Sequence, residues 1–323
     1  MHRADTIRGV CLTLGSVGLI SCSDSVGLAR TTRASEPRVD ATVDKWTWSE
    51  PQSLGPVVNA EGFDNRNAMI STNGKSLYFG SDRPGGSGAL DLYVSHRANP
   101  HEPWEAPINL GSTINSGAVD NNPYATDDGL DLVFSGTRPG GCGGTDLWTS
   151  HRADADDDLG WGTPINLGCT INSSSGDNGP VLFTDPVTGT TMLFFASTRP
   201  GGQGILDFWV STRGSDGAWG AAVVIAELNT PFDDNKLAIE RDGLTVYFSS
   251  NRPGGGQELA GFNIWVATRA TTQDTWSTPT VAVESAGLPA ISTNGKSLYM
   301  VRRGVGGGPL KNALFVSTRE RAP

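Results

Sequence analysis

The chain has 323 residues, a formal net charge of −10, 42 glycines, 19 prolines and 4 cysteines. An acidic surface with no stripe of Lys and Arg would repel a phosphate backbone, which excludes nucleic acid as a partner. High glycine and proline content with few helix-forming runs points to short strands joined by tight turns.

In chain order, the first residues read as an address. His2, Arg3 and Arg8 charge the N-terminus, and Val10 to Ile20 is apolar but too short to span a bilayer. Leu19-Ile20-Ser21-Cys22 resembles a bacterial lipobox, in which the cysteine is acylated and becomes the mature terminus. The alternative is an ordinary secretory leader with an incidental Cys22. Residues 1–21 are therefore expected to form a lipoprotein signal peptide, and 22–45, polar and aperiodic, a flexible tether. Ser23 resembles the sorting residue of enteric outer-membrane lipoproteins. The expected location is the bacterial outer membrane, periplasmic or surface-facing, with the lipid as the sole membrane contact.

From residue 46 to 323 one phrase recurs at intervals of roughly 50 to 60 residues. It is Arg-Pro-Gly-Gly followed by Asp or Asn and an apolar run. The copies begin at Arg83, Arg138, Arg199 and Arg252 and lead to Asp91, Asp146, Asp207 and Asn263; a worn copy ends at Asn312 to Val316. In the second copy, Pro123 to Thr126, Asp131 to Ser135, Leu147 to Ser150 and Pro164 to Gly168 read as four strands. Asn73-Gly74, Asp128-Gly129, Asp242-Gly243 and Asn294-Gly295 supply the hairpin turns. Four antiparallel strands per repeat make a propeller blade. The last copy lacks a fourth strand, and Trp48 to Leu54 is an orphan one. The prediction is an all-β, single five-bladed β-propeller closed by its N-terminal strand, since an open solenoid would leave sheet edges bare.

Several residues stand out on this frame. Cys142 and Cys169 remain as a pair in an exported chain and are expected to form a disulfide. Hairpin geometry predicts that Arg83 faces Asp91, Arg138 faces Asp146 and Arg199 faces Asp207, bracing the glycine loops. Trp48, Trp104, Trp161, Trp219 and Trp276 each open a fourth strand, either packing between blades or offering a platform to sugars. The run Asp154 to Asp158 lacks the glycine and glutamate of a calcium loop and reads as solvated. At the starts of the first strands lie Asp64-Asn65, Asp120-Asn121, Asp177-Asn178 and Asp233-Asp234, expected to ring one mouth of the central channel. They would cap backbone amides, form a ligand rim able to take Ca²⁺, or supply the acid and base of a hydrolase.

Ser76 to Gly86 followed by Asp91 to Ser95 resembles the WD-repeat-like propeller family of bacterial envelopes, which includes TolB and the propeller segments of OmpA-linked lipoproteins. Leu110-Gly111-Ser112-Thr113-Ile114-Asn115 and Leu167-Gly168-Cys169-Thr170-Ile171-Asn172 match its linking phrase. The resemblance implies a non-enzymatic scaffold that binds an envelope protein or a glycan. A monomer without a cofactor or bound metal is expected. The alternative is a carbohydrate-active enzyme whose acids are drawn from Asp64, Asp120, Asp177 and Asp234.

Overall fold

The computed structural model describes residues 46–255, 261–303 and 311–321. The expected signal peptide and tether, with Cys22, lie outside the described residues. Strands β1 (Trp46–Trp48) and β2 (Gln52–Ser53) come first. Blade 1 follows with β3 (Asn65–Ile70), β4 (Ser76–Ser81), β5 (Asp91–His96) and β6 (Ile108–Asn109), then a one-turn helix α1 (Gly111–Ile114). Blade 2 is β7 (Asp120–Ala125), β8 (Asp131–Gly136), β9 (Asp146–His151) and β10 (Ile165–Asn166). Blade 3 is β11 (Asp177–Thr184), β12 (Thr191–Ser197), β13 (Asp207–Thr212) and β14 (Val223–Val224). Blade 4 is β15 (Asp234–Ile239), β16 (Thr245–Ser250), β17 (Asn263–Thr268) and β18 (Thr280–Val283). Blade 5 holds β19 (Gly287–Ile291), β20 (Ser297–Arg303) and β21 (Asn312–Arg321).

Each sheet is antiparallel, and the turn glycines permit its tight hairpins; Gly129, for example, sits at φ 71°. The chain is a five-bladed β-propeller. Blade 5 takes its outer strand from the other end of the chain: Trp48 pairs with Arg319, and Gln52 pairs with Val316. Inner strands β3, β7, β11, β15 and β19 contact their neighbours all the way round and enclose the channel.

The blades are joined by a repeated stitch. Arg199 Nη2 donates to Ile171 O at 2.5 Å and to Asp177 Oδ1 at 2.6 Å, while its guanidinium lies 5.0 Å from the Phe195 ring and 5.1 Å from Trp209. Next to Ile171, the Asn172 side chain accepts from Leu147 N and donates to Leu147 O in the preceding blade. Four of the five connecting loops are thereby held by an arginine on one side and an asparagine on the other. Asn59, Asn115 and Asn229 repeat the second contact on Leu314, Leu92 and Phe208.

This arrangement corrects the expected arginine partners. Arg138, Arg199 and Arg252 pair with Asp120, Asp177 and Asp234, and Arg83 with Asn65. Asp91, Asp146 and Asp207 instead accept amides of their own glycine loops, from Ser87, Cys142 and Gly204. The loop wraps so closely that a Cβ on Gly141 would overlap the Asp146 carboxylate. Cys142 and Cys169 are joined by a disulfide, with Cα atoms 5.6 Å apart.

Trp104, Trp161, Trp219 and Trp276 lie just ahead of the fourth strands rather than opening them, and Trp48 ends β1. They sit under arginines at the ends of third strands, Arg97 4.1 Å from the Trp104 ring and Arg152 4.3 Å from Trp161. Trp104, Trp161 and Trp276 are buried there, which favours packing over a sugar platform.

The stitch makes an asymmetric prediction. Arg199→Met leaves the Asp177 carboxylate buried without its cation and should cost about 3–5 kcal/mol of stability. Asp177→Asn copies the Asn65 solution of blade 1 and should cost much less. Urea unfolding of both variants checks the order.

Candidate functional site

The eight residues expected to ring one mouth separate into two sets. Asp120, Asp177 and Asp234 are fully buried, and so is Asn65. One carboxylate oxygen of each acid takes the arginine. The other takes the backbone amide and hydroxyl of Ser116, Ser173 or Thr230. These acids are spent on the stitch and are not rim ligands. Burial raises the Asp234 carboxyl above its ordinary value, while its bonds to Ser250, Arg252 and Thr230 oppose that. Among the described residues no three acidic, His or Cys side chains are grouped as a metal would require, so the alternative of a Ca²⁺ rim finds no support in them.

The structure shifts the equivalence of blade 1 by one residue. Asn65, not Asp64, matches Asp120, because it is Asn65 that accepts Arg83. Asp64 therefore matches Val119, Gly176 and Asp233, and Arg66 matches Asn121, Asn178 and Asn235. Asn121 sits against Gly80 of blade 1, where a Cβ would collide with its amide oxygen, and Asn121 and Asn178 are half-buried.

Acids that break the repeat gather at this mouth. Asp82 stands directly before the repeated arginine, where the other blades have Thr137, Thr198 and Asn251. Its Oδ1 accepts Asp64 N at 2.6 Å, and its Oδ2 lies 2.5 Å from Lys311 Nζ. The Asp64 carboxylate pairs with Arg66 and accepts Asn312 N at 3.1 Å. Burial lowers the Arg66 pKa, Asp82 opposes that, and nearby Arg303 lowers it further. Two blades away, Asp233 accepts only the Asn251 amide, Nδ2 to Oδ2 at 3.4 Å, with no cation beside it among the described residues. A cavity of about 200 Å³ adjoins the cluster, lined by Asn235, Leu288, Arg303 and Asn312 among others. Asp82 was legible in the sequence, had the repeats been aligned on their arginines.

A second feature carries no compositional signal. Every inner strand has a β-bulge whose extra residue is left-handed: Asn67 (φ 56°), Asn122 (φ 53°), Gly179 (φ 61°), Lys236 (φ 31°) and Leu288 (φ 54°). Bulges gather beside functional sites because they re-aim side chains.

No family model matches the sequence, and no curated protein matches it. The α-L-arabinofuranosidase of Lactobacillus brevis superposes with a TM-score of 0.57 at 12% identity, over 83% of this chain and 92% of that one. The catalytic domain of the Coprinopsis cinerea GH62 α-L-arabinofuranosidase gives 0.55 at 12% identity, over 85% and 96%. TolB of Acinetobacter baumannii reaches 0.46 at 12% identity, over 80% and 55%. At such identities the likeness is one of fold: a β-propeller. It does not single out the TolB type. The expectation of a chain without catalysis is overturned here, because the fold on which it rested is shared with α-L-arabinofuranosidases.

Away from the channel, the acidic run is not wholly solvated. Asp158 pairs with His96 of blade 1, with Arg152 Nη1 at 3.0 Å and with the Tyr78 hydroxyl at 3.2 Å. The bond to Asp158 raises the His96 pKa above its ordinary value, against the effect of burial. A raised histidine pKa stabilises the fold fully below its unfolded value of about 6.5 and loses that contribution as pH rises through the folded value. Stability measured by urea unfolding should therefore fall as pH is raised from the acid side of 6.5 into the weakly alkaline range. His96→Gln should flatten that slope, and His101→Gln should leave it.

Proposed function

We propose that this chain is a carbohydrate-active enzyme that hydrolyses glycosidic bonds at the mouth holding Asp64, Asp82 and Asp233. One observation carries the reading. In a ring of near-identical blades, Asp82 departs from the repeat, Asp64 and Asp233 hold one position that two other blades fill with Val119 and Gly176, and the three acids lie at the same end of the inner strands, near a cavity. A structural acid is repeated in blade after blade, as Asp120, Asp177 and Asp234 are; a chemical one need not be.

Glycoside hydrolysis asks for two carboxyl groups in opposite protonation states. Asp64, bonded to Arg66 and to the Asn312 amide, is held as the anion and takes the role of base or nucleophile. Asp233, whose carboxylate has an amide but no cation beside it among the described residues, supplies the second carboxyl group. Asp82, fixed between Lys311 and Asp64 N, positions Asp64. The arabinofuranosidase propellers support a furanoside or pentoside as the first substrate to try. An exported site of action belongs to the proposal. The Cys142–Cys169 bond supports it, because disulfides persist outside a reducing cytosol, and the leader read from the sequence agrees.

The test is a panel of 4-nitrophenyl pentosides with arabinan and xylan as polymers. Wild-type protein should release product, and Asp64→Asn and Asp233→Asn should each lower the rate by about 10²–10⁴. Asp127→Asn, at the opposite mouth, should leave it unchanged. Folded wild-type protein with no turnover across the panel would remove the proposal.

A further inference from the structure

The other half of the channel opens at the hairpin ends of the inner strands as a cavity of about 800 Å³. Its wall includes Val181, Leu182, Leu237 and Ala290, and its rim includes the hydroxyls of Thr72 and Ser292. Lys236 lines the same cavity and is 3% exposed. It holds the bulge position that the other blades fill with Asn67, Asn122, Gly179 and Leu288, so it is the one cation in that ring. Among the described residues no hydrogen bond or ion pair reaches its amine.

Such a group is hard to explain as structure. A buried ammonium is unfavourable unless paired, and frames ordinarily pair it or replace it. Here burial alone brings the Lys236 pKa down to about 7, with no nearby charge contributing. The backbone adds a second cost, since φ 31° suits Asn or Gly better than a long side chain. The neighbouring bulge is Gly179, and a side chain there would begin 3.6 Å from Lys236 Cβ. Its absence leaves the flank of the lysine open.

We propose that this cavity binds a small organic carboxylate, with the anionic head on Lys236 Nζ and an apolar body against the inner-strand side chains. A single buried amine matches a monoanion. Phosphate or sulfate would need further donors, and the other cations lining the cavity are exposed and engaged: Arg241 lies 3.8 Å from Asp127, and Arg213 lies over the Trp219 ring and donates to Gly217 O. Asp127 and Asp128 at the rim also work against polyanions. The apolar wall favours a hydrocarbon or aromatic body over a sugar. The site is at the opposite mouth from Asp64 and does not depend on the hydrolytic reading.

Benzoate is the probe, benzamide its neutral counterpart, and inorganic phosphate the polyanion control. Calorimetric titration of the full chain should show benzoate binding, with benzamide and phosphate at least about tenfold weaker. Lys236→Met keeps the length of the side chain and the backbone demand while removing the charge, and should weaken benzoate by about tenfold or more. Wild-type protein supplies an independent reading that needs no variant. Benzoate should protect Lys236, but not exposed Lys75, from acetylation followed by mass spectrometry. Equal affinity for benzoate in wild type and Lys236→Met, equal binding of benzamide, or unprotected Lys236 would each overturn the proposal.

Discussion

Everything else in this propeller depends on a half-buried guanidinium that does three things at once. Arg199 lies between the rings of Phe195 and Trp209, neutralises Asp177 at the start of an inner strand, and holds the carbonyl of Ile171 in the loop arriving from the blade before. The adjacent Asn172 ties that loop back to the blade it has left. Sheet hydrogen bonds stop at the edge of a blade, so the ring needs another device to fix one blade against the next. Arginine serves because its planar fork makes several bonds while its faces stack, which lysine could not do. The fourth strands can then be as short as two residues, as in Ile108–Asn109 and Ile165–Asn166, since the asparagine supports what the ladder does not.

Much of this frame was legible in the residues. Asx-Gly turns, the Arg-Pro-Gly-Gly phrase and the orphan strand at Trp48 led to five blades and to their closure, because these are local signals with fixed backbone meaning. The partners of the arginines were not legible. Hairpin reasoning joins the two ends of one loop, and so pairs Arg138 with Asp146; the actual partner, Asp120, comes from the neighbouring inner strand. The bulges were also hidden. Asn67, Asn122 and Gly179 are residue types that accept this conformation, but Lys236 and Leu288 are not, so no one residue type announces it. That single extra residue, together with a one-residue offset between Asp64 and Asn65, decides which side chains enter the stitch and which face the channel.

The result is a division of labour between symmetry and exception. Positions that repeat are consumed by the frame, including most of the acids that composition alone would nominate for chemistry. The departures from the repeat are few: Asp64, Arg66 and Asp82 in blade 1, Asp233 and Lys236 in blade 4, Arg303 and Lys311 in blade 5. They come from three blades that are consecutive around the ring, and they sit at the axis or its mouths. A repeat architecture makes such sites easy to vary, because one blade can change a residue while the others keep the ring intact.

Closure by β1 and β2 sets an order of events in time. Ser53 must find Phe315, and Trp48 must find Arg319, yet these partners leave the ribosome at opposite ends of synthesis. Contacts between such distant parts of a chain form late, because the loop between them must first be ordered. Until then β21 presents a bare edge and β1 and β2 have nothing to pair with. The seal that removes the ring's last edge is therefore the last to form, and a cell that makes this protein must keep the nearly finished ring from pairing with its neighbours.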